Sequence, residues 1–309
     1  MKRAIVTGPT GAVGMALLKE LSEQGVQVAA VVRPDSKRAD RIENYPMVTK
    51  FACGLEHIEE LPRLLQKAGW DGTDSVFYHL GWDGTFGNSR NNMHGQNLNV
   101  KYALDAADAA AACGCSTFVG AGSQAEYGRF SGKLNKDTPT FPENGYGMAK
   151  LCAGQMTRVA CEQHQMRHIW TRILSIYGPF DGDATMVMST IDKLLAGAQT
   201  AFTKGEQQWD YLYSQDAALA LRLLGDKGVH GRTYCIGSGK VQPLCEYIKT
   251  IRDIVRPEAK LGFGQIAYAP KQVMYLCADI SDLQADTGFA PQWSFEDGIR
   301  ETVEWRKMQ

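Results

Sequence analysis

Residues Val6 to Gly14 read VTGPTGAVG. Gly8, Gly11 and Gly14 recur at every third position, directly after the apolar run Arg3 to Thr7 and directly before a stretch of helical periodicity from Ala12 to Gln24. In a strand-to-helix turn, Gly8 permits the sharp bend, Gly11 lets a pyrophosphate approach the backbone, and Gly14 lets the helix pack on its strand. The helix amino terminus offers unpaired N–H groups to an anion. Gly8, Thr10, Gly11, Ala12, Val13 and Gly14 are therefore the expected phosphate floor of a dinucleotide site, rather than a ligand-free turn.

The same alternation continues beyond this turn. Apolar runs at Gln27 to Val32, Met47 to Ala52, Ser75 to Leu80, Ser116 to Gly120 and His168 to Arg172 predict strands. Between them, periodic stretches predict helices at His57 to Ala68, Gln96 to Ala112 and Tyr146 to Gln163. This rhythm predicts an α/β chain with a Rossmann-like doubly wound parallel sheet. Beyond Gly178 and Pro179 it loosens, with helices predicted at Met186 to Leu195, Asp216 to Leu224, Leu244 to Ile254 and Phe295 to Lys307. Residues 1–178 are expected to bind the dinucleotide and to carry the chemistry. Residues 179–309 are expected to form mainly a smaller α/β substrate lobe, with some segments returning to the main sheet.

Composition excludes several classes. The 309 residues carry Lys+Arg 33 against Asp+Glu 34, a net charge of -1, so no excess positive field favours nucleic acid or an anionic membrane. A small-molecule partner is expected instead. No apolar run approaches the roughly 20 residues that span a bilayer. The chain is expected to lead straight into a strand rather than a cleavable leader, and its 8 cysteines are scattered. Reduced thiols and a cytoplasmic location are expected. Cys113 and Cys115 lack a second pair, and His164 and His168 lack a completing acid, so no metal is expected.

The second strand ends in VAAVVRPDS, which places Arg33 where an acid would accept from a ribose 2'-hydroxyl and a base would tolerate a 2'-phosphate. Arg33, with Lys37 and Arg38 nearby, favours NADP(H); Asp35 keeps NAD(H) open.

Downstream, YGMAK sets Tyr146 and Lys150 four apart on one helical face, where an ammonium would lower the phenol's pKa. GSQAEYG supplies Ser123, able to hydrogen-bond the oxygen whose proton Tyr146 handles. With these residues in place, the chain resembles the extended short-chain dehydrogenase/reductase family of NAD(P)-dependent nucleotide-sugar epimerases, dehydratases and ketoreductases. The resemblance covers nearly the whole length: the glycine triplet, Ser123 four residues before Tyr127, Tyr146-x-x-x-Lys150, YGP at Tyr177 to Pro179, and the tail TGFAPQWSFEDGIRETVEW. It implies that Lys150 also grips the nicotinamide ribose, that Leu80, Gly81 and Trp82 run along the cofactor, and that Asn99 sits on the helix behind the site. A homodimer paired through two helices per subunit is implied by the same analogy.

The departures narrow the chemistry. Family dehydratases carry an Asp-Glu pair after the catalytic hydroxyl; here stand Gln124 and Ala125, neither able to act as acid or base at neutral pH. Hydride transfer at one sugar carbon without loss of water is expected, as a 4-ketoreductase or a 4-epimerase. Trp209 in GEQQWDYLYSQD replaces an arginine that commonly clamps the diphosphate, Ser175 in RILSIYGP replaces a frequent asparagine, and Lys271 in APKQVM stands where a second arginine is common. Gln124, Ser175, Trp209 and Lys271 are thus the expected substrate contacts. Cys53 and Gly54 stand where an acid often meets adenine. Two alternatives stay open: a reductase of a non-nucleotide ketone or alcohol, favoured by Trp209, and a non-catalytic sensor of NAD(P), disfavoured by the intact Ser-Tyr-Lys set.

Overall fold

The computed structural model describes residues 1–42 and 45–309. Seven strands form the central sheet: β1 (Arg3–Thr7), β2 (Gln27–Val32), β3 (Val48–Ala52), β4 (Val76–His79), β5 (Thr117–Ser123), β6 (Arg167–Ile173) and β7 (Thr233–Ile236). Their order is β7-β6-β5-β4-β1-β2-β3 and every adjacent pair is parallel. The chain thus winds outward in both directions from β1 and β4. The crevice beyond their carboxyl ends is the switch point where open α/β sheets bind ligands.

Nine α-helices follow in the described residues: α1 (Ala12–Glu23), α2 (Leu61–Lys67), α3 (Met93–Ala112), α4 (Gly145–Gln163), α5 (Met186–Leu195), α6 (Ser214–Lys227), α7 (Leu244–Val255), α8 (Ser281–Thr287) and α9 (Phe295–Lys307). Both sheet faces are covered, so strand side chains are apolar on both sides, as in the fully buried Ala4, Ile5 and Val6 of β1. Leu17, Leu18 and Leu21 of α1 and Leu221 and Leu224 of α6 seal one face. On the other, α3 buries Ala106, Ala107, Ala109 and Ala110, whose small side chains let the helix lie close to Ile5, Phe77 and Phe118.

The strand that delivers Ser123 runs three residues past the expected Gly120, because β5 pairs with β6 along its whole length, through Ser123 opposite Ile173. The helix expected at His57 to Ala68 is broken. A 3-10 segment at Leu55–Glu60, with His57 at φ -132 and ψ 27, precedes α2, where Pro62 fits the first turn. Sequence periodicity does not reveal β7 or α8. The edge strand β7 returns from the second half of the chain to pair with β6, with Thr233 opposite Trp170.

Around α5, α7 and α9 a separate apolar cluster forms, including Tyr177, Val187, Met188, Ile191, Ile251, Ile299 and Val303. Tyr177 packs against Tyr213 at 5.5 Å and Phe295 at 4.8 Å between ring centroids, and Tyr211 meets Tyr247 at 5.1 Å. Tyr211 and Tyr213 thus pack the lobe. A short parallel ribbon, Ser175–Tyr177 with Tyr211–Tyr213, joins this cluster to the end of β6. No helix among the described residues is long and apolar enough to cross a membrane.

Candidate functional site

The glycine turn comes first because its geometry follows from the lack of side chains. Gly8 has φ +66, and a Cβ there would stand 2.6 Å from the Gly81 nitrogen. A Cβ on Gly14 would stand 2.4 Å from the Gly8 carbonyl oxygen, so α1 leaves the turn at a distance only glycine permits. Gly11 differs. It has φ -86, caps α1 without a side-chain hydrogen bond, and a Cβ on it would meet nothing within 4 Å. Protein packing does not require a glycine at this position; a ligand lying against the backbone would. The first turn of α1 also holds no acidic residue, leaving its positive end available to phosphate. The turn therefore fits a dinucleotide's pyrophosphate.

Opposite the turn lies the loop after β4. Thr7 Oγ1 accepts from the Gly81 N–H at 3.2 Å and contacts His79 Nδ1 at 3.0 Å, which fixes Leu80 and Gly81 beside Gly8. Burial pushes the His79 imidazole down to about 3, with the Lys150 charge adding to it, so the ring is neutral at physiological pH. Asn99 is buried, and the Asp83 backbone engages its amide. It donates to the Asp83 carbonyl at 2.9 Å and accepts from the Asp83 N–H at 3.0 Å. Gln96 accepts from the Trp82 indole at 2.9 Å and donates to the Gly84 carbonyl at 2.9 Å. Asn99 thus pins the wall that Trp82 forms from the helix behind it, with Gln96, which the sequence did not single out.

Tyr146 and Lys150 sit in the first turns of α4, which Asn144 caps by accepting from the Gly147 N–H at 2.8 Å. Ser123 ends β5 and caps a short 3-10 turn, Gln124–Glu126, by accepting from the Ala125 N–H at 3.2 Å. The Ser123 hydroxyl also lies near enough to Tyr146 to favour the phenolate. The structure therefore brings Ser123, Tyr146 and Lys150 together at the carboxyl end of the sheet.

Their electrostatics depart from expectation. Burial raises the Tyr146 phenol above its ordinary value; the Ser123 hydroxyl and the Arg90 charge pull against it, and Glu126 pushes it further up. Lys150 does not supply the lowering expected of it. Its Nζ donates to the Ala121 carbonyl at 2.5 Å and lies 3.7 Å from the Trp82 ring centroid, against 5.8 Å from that of Tyr146. Burial brings Lys150 itself down to about 7, with Glu126 acting in the opposite sense. Spacing on a helix put the two residues on one face but could not say which oxygen the ammonium would meet.

Glu126 is fully buried. It accepts from Arg172 Nε at 2.7 Å, from the Trp170 indole at 3.1 Å and from the Ser123 backbone N–H at 2.8 Å. Reciprocal capping by Ser123 and Glu126 holds the strand end that aims the Ser123 hydroxyl. The signal was visible as Ser-x-x-Glu, but nothing local announced Trp170 and Arg172 as its partners. Gln124 is half-buried at the start of the same turn.

Of the other expected substrate contacts, Trp209 and Ser175 meet each other, the indole N–H donating to the serine hydroxyl at 2.9 Å. Lys271 lies on an exposed loop, close enough to Glu143 for its charge to lower that carboxyl. Arg33, Lys37 and Arg38 are exposed beyond β2. Arg41, which sequence reading missed, donates to the Thr10 carbonyl at 3.2 Å and stands 5.2 Å from the Phe180 ring centroid, linking the glycine turn to the second half of the chain. No group of three His, Cys, Asp or Glu side chains suited to a metal occurs among the described residues.

The family and the fold are shared with known proteins. The model of the NAD dependent epimerase/dehydratase family matches residues 4–237. A dTDP-glucose 4,6-dehydratase of Xanthomonas campestris is 28% identical over 184 residues, 57% of this chain and 52% of that protein, so the chain spans about half the length of such curated relatives. A UDP-glucose 4-epimerase from Thermotoga maritima, solved with UDP-glucose, superposes with a TM-score of 0.86 at 20% identity over 99% of both chains. A UDP-glucuronic acid 4-epimerase from Bacillus cereus, solved with NAD, superposes with a TM-score of 0.82 at 19% identity, again over 99% of both.

Proposed function

The chain belongs to the NAD dependent epimerase/dehydratase family, and from that premise we propose that it is a nucleotide-sugar 4-epimerase or 4-ketoreductase rather than a dehydratase. One observation carries the reading: Ser123, Tyr146 and Lys150 converge at the switch point, while the two positions after Ser123 hold Gln124 and Ala125. When bound, the nicotinamide supplies hydride exchange at the sugar carbon. Ser123 orients the reacting oxygen, Tyr146 exchanges its proton, and Lys150 holds the ribose. Gln124 and Ala125 supply no carboxylate for eliminating water from the neighbouring carbons, which supports transfer without dehydration. Tyr146→Phe is expected to abolish turnover with cofactor affinity nearly intact; a fully active variant refutes the mechanism. Steady consumption of reduced cofactor identifies a ketoreductase, and interconversion of two sugar nucleotides without it identifies an epimerase.

Gly8, Thr10, Gly11, Ala12, Val13 and Gly14 form the phosphate floor in this reading, and Leu80, Gly81 and Trp82 the wall behind the cofactor. Arg33 supports NADP(H) over NAD(H), because its exposed guanidinium makes no ion pair among the described residues and is free to meet a 2'-phosphate. Arg33→Ala then weakens NADP(H) several-fold and leaves NAD(H) unchanged; equal loss for both refutes that preference.

The Trp209 to Ser175 hydrogen bond favours a second reading, reduction of a ketone that carries no nucleotide, because two positions that commonly serve the nucleotide satisfy each other. Thermal stabilisation by any of UDP, CDP, GDP or dTDP argues for the nucleotide sugar, and stabilisation by none of them for the alternative.

A second copy of the chain is the proposed occupant of the face made by α3 and α4, where Leu98, Met148, Met156 and Val159 are exposed. Met148, Cys152, Met156 and Val159 form one stripe of α4. Light scattering reads the mass directly, and Met156→Glu is expected to yield monomer.

A further inference from the structure

Arg90 lies on a 3-10 turn, Gly87–Asn91, in the loop after β4. Its guanidinium carbon stands 4.6 Å from the centroid of the Tyr146 ring. Two sets of hydrogen bonds hold that loop. Asn91 accepts from the Gly145 N–H at 3.0 Å, tying the loop to the start of α4, and Gln96 donates to the Ser89 carbonyl at 3.1 Å, tying it to α3. No carboxylate stands within ion-pair distance of Arg90 among the described residues, and its side chain is half-buried in the crevice wall. A cation so placed, unpaired yet partly withdrawn from water, has the Tyr146 ring as its neighbour.

We propose that Arg90 is a positioning residue for Tyr146: its guanidinium, laid on the face of the ring, holds the phenol in place and stabilises the phenolate that takes a proton from the substrate hydroxyl. The inference rests on the reading of Tyr146 as the acid–base group. The charge on the ring face attracts a cation even when the phenol is neutral, and the attraction grows when the oxygen is ionised. In the proton transfer, the substrate O–H bond breaks and the Tyr146 O–H bond forms; in the reverse direction the same proton returns. Arg90 keeps its own protons throughout.

The ionisable groups that face Tyr146 are few. Arg90 from the loop after β4 and the Ser123 hydroxyl from β5 favour ionisation, and Glu126 from the turn after β5 opposes it. Lys150, one turn along α4, lies further from the ring and is engaged by the Ala121 carbonyl and the Trp82 ring. Arg90 is thus the nearest cation to the ring, and it comes from a loop rather than from the helix that carries the Tyr-x-x-x-Lys pattern.

The test is a pH titration of protein labelled with carbon-13 at the tyrosine Cζ, loaded with NAD, the Tyr146 signal being assigned by its loss in Tyr146→Phe. Arg90→Gln is expected to raise the Tyr146 midpoint by about one pH unit, and Arg90→Lys to restore part of the shift. Should Arg90→Gln fail to fold, Arg90→Met serves the same purpose. An unchanged midpoint in a folded variant overturns the proposal. With a substrate in hand, the pH limb of kcat that reports Tyr146 moves with the midpoint while KM stays within about two-fold; a raised KM with an unmoved limb assigns Arg90 to a substrate anion instead and also overturns it. The titration needs no turnover. An active Tyr146→Phe would therefore strike the proposed function while leaving the effect of Arg90 on the phenol measurable by itself.

Discussion

The indole N–H of Trp209 donates to the hydroxyl of Ser175 at 2.9 Å, across the ribbon in which Tyr211 stands opposite Ser175. Thirty-four positions separate the two residues, and each alone reads as a substrate contact with an altered side chain. Together they form a satisfied pair on the wall of the lobe. Trp209→Phe keeps most of the ring's packing and removes the donor, so unfolding free energy is expected to fall by about 1 kcal/mol in urea titration. An unchanged midpoint would mean that water replaces the serine at no cost.

Gly11 and Gly14 should part company under the same substitution. A methyl at Gly11 meets open space at an ordinary φ, while one at Gly14 strikes the Gly8 carbonyl. Gly11→Ala is expected to melt near the wild-type temperature and to bind cofactor at least ten-fold more weakly, by an order-of-magnitude reckoning for a displaced phosphate. Gly14→Ala should lose several degrees before any ligand is added. Calorimetric melts with and without NAD read both effects, and a Gly11→Ala protein that binds normally removes the turn from the phosphate site.

Lys150 makes stability depend on pH in a stated direction. Burial lowers its pKa from 10.5 to about 7. Between those values the unfolded chain holds a proton that the folded chain has released, so this group's contribution rises with pH across that window. Below it, the full penalty of burying an ammonium applies. Lys150→Met removes that penalty and should raise the melting temperature at pH 6 more than at pH 9, while destroying activity. An equal gain at both pH values contradicts the lowered value.

Glu126 and Arg172 form a pair with almost no access to water, 5% and 0% exposed for the arginine and glutamate side chains. Glu126→Ala leaves a buried guanidinium uncompensated and frees the Ser123 backbone, with an expected cost of about 3–5 kcal/mol. Arg172→Met in the same chain should recover part of it, since the neutral pair no longer buries a lone charge. Chemical denaturation of the two single variants and the double variant measures the coupling; strictly additive losses would deny that the pair acts as a unit.

The chemistry-bearing residues split by how far apart their partners lie. Gly8, Gly11 and Gly14 stood out because one turn contains them all, and Tyr146 and Lys150 because one helical turn separates them. The extension of β5 to Ser123 was not legible, since it depends on pairing with β6, about fifty residues on. Arg90 over Tyr146 spans 56 positions and Arg172 to Glu126 spans 46, and neither neighbourhood has a local signature. Asn99 was placed behind the site by resemblance, but that its amide grips the Asp83 backbone emerged only once α3 was laid against the loop.

The amino-acid order by itself determined the alternation of strand and helix, the glycine turn after β1, and the seryl, phenolic and amino groups of the site, because periodicity and short spacing act within a few residues. Tertiary structure alone decided which charges those groups feel. Packing brought Arg90 to the phenol, drew the Lys150 ammonium to a carbonyl, and buried Glu126 against Arg172. Electrostatic energy depends on distance and on exclusion of water, and both are set by neighbours that the linear chain keeps far apart.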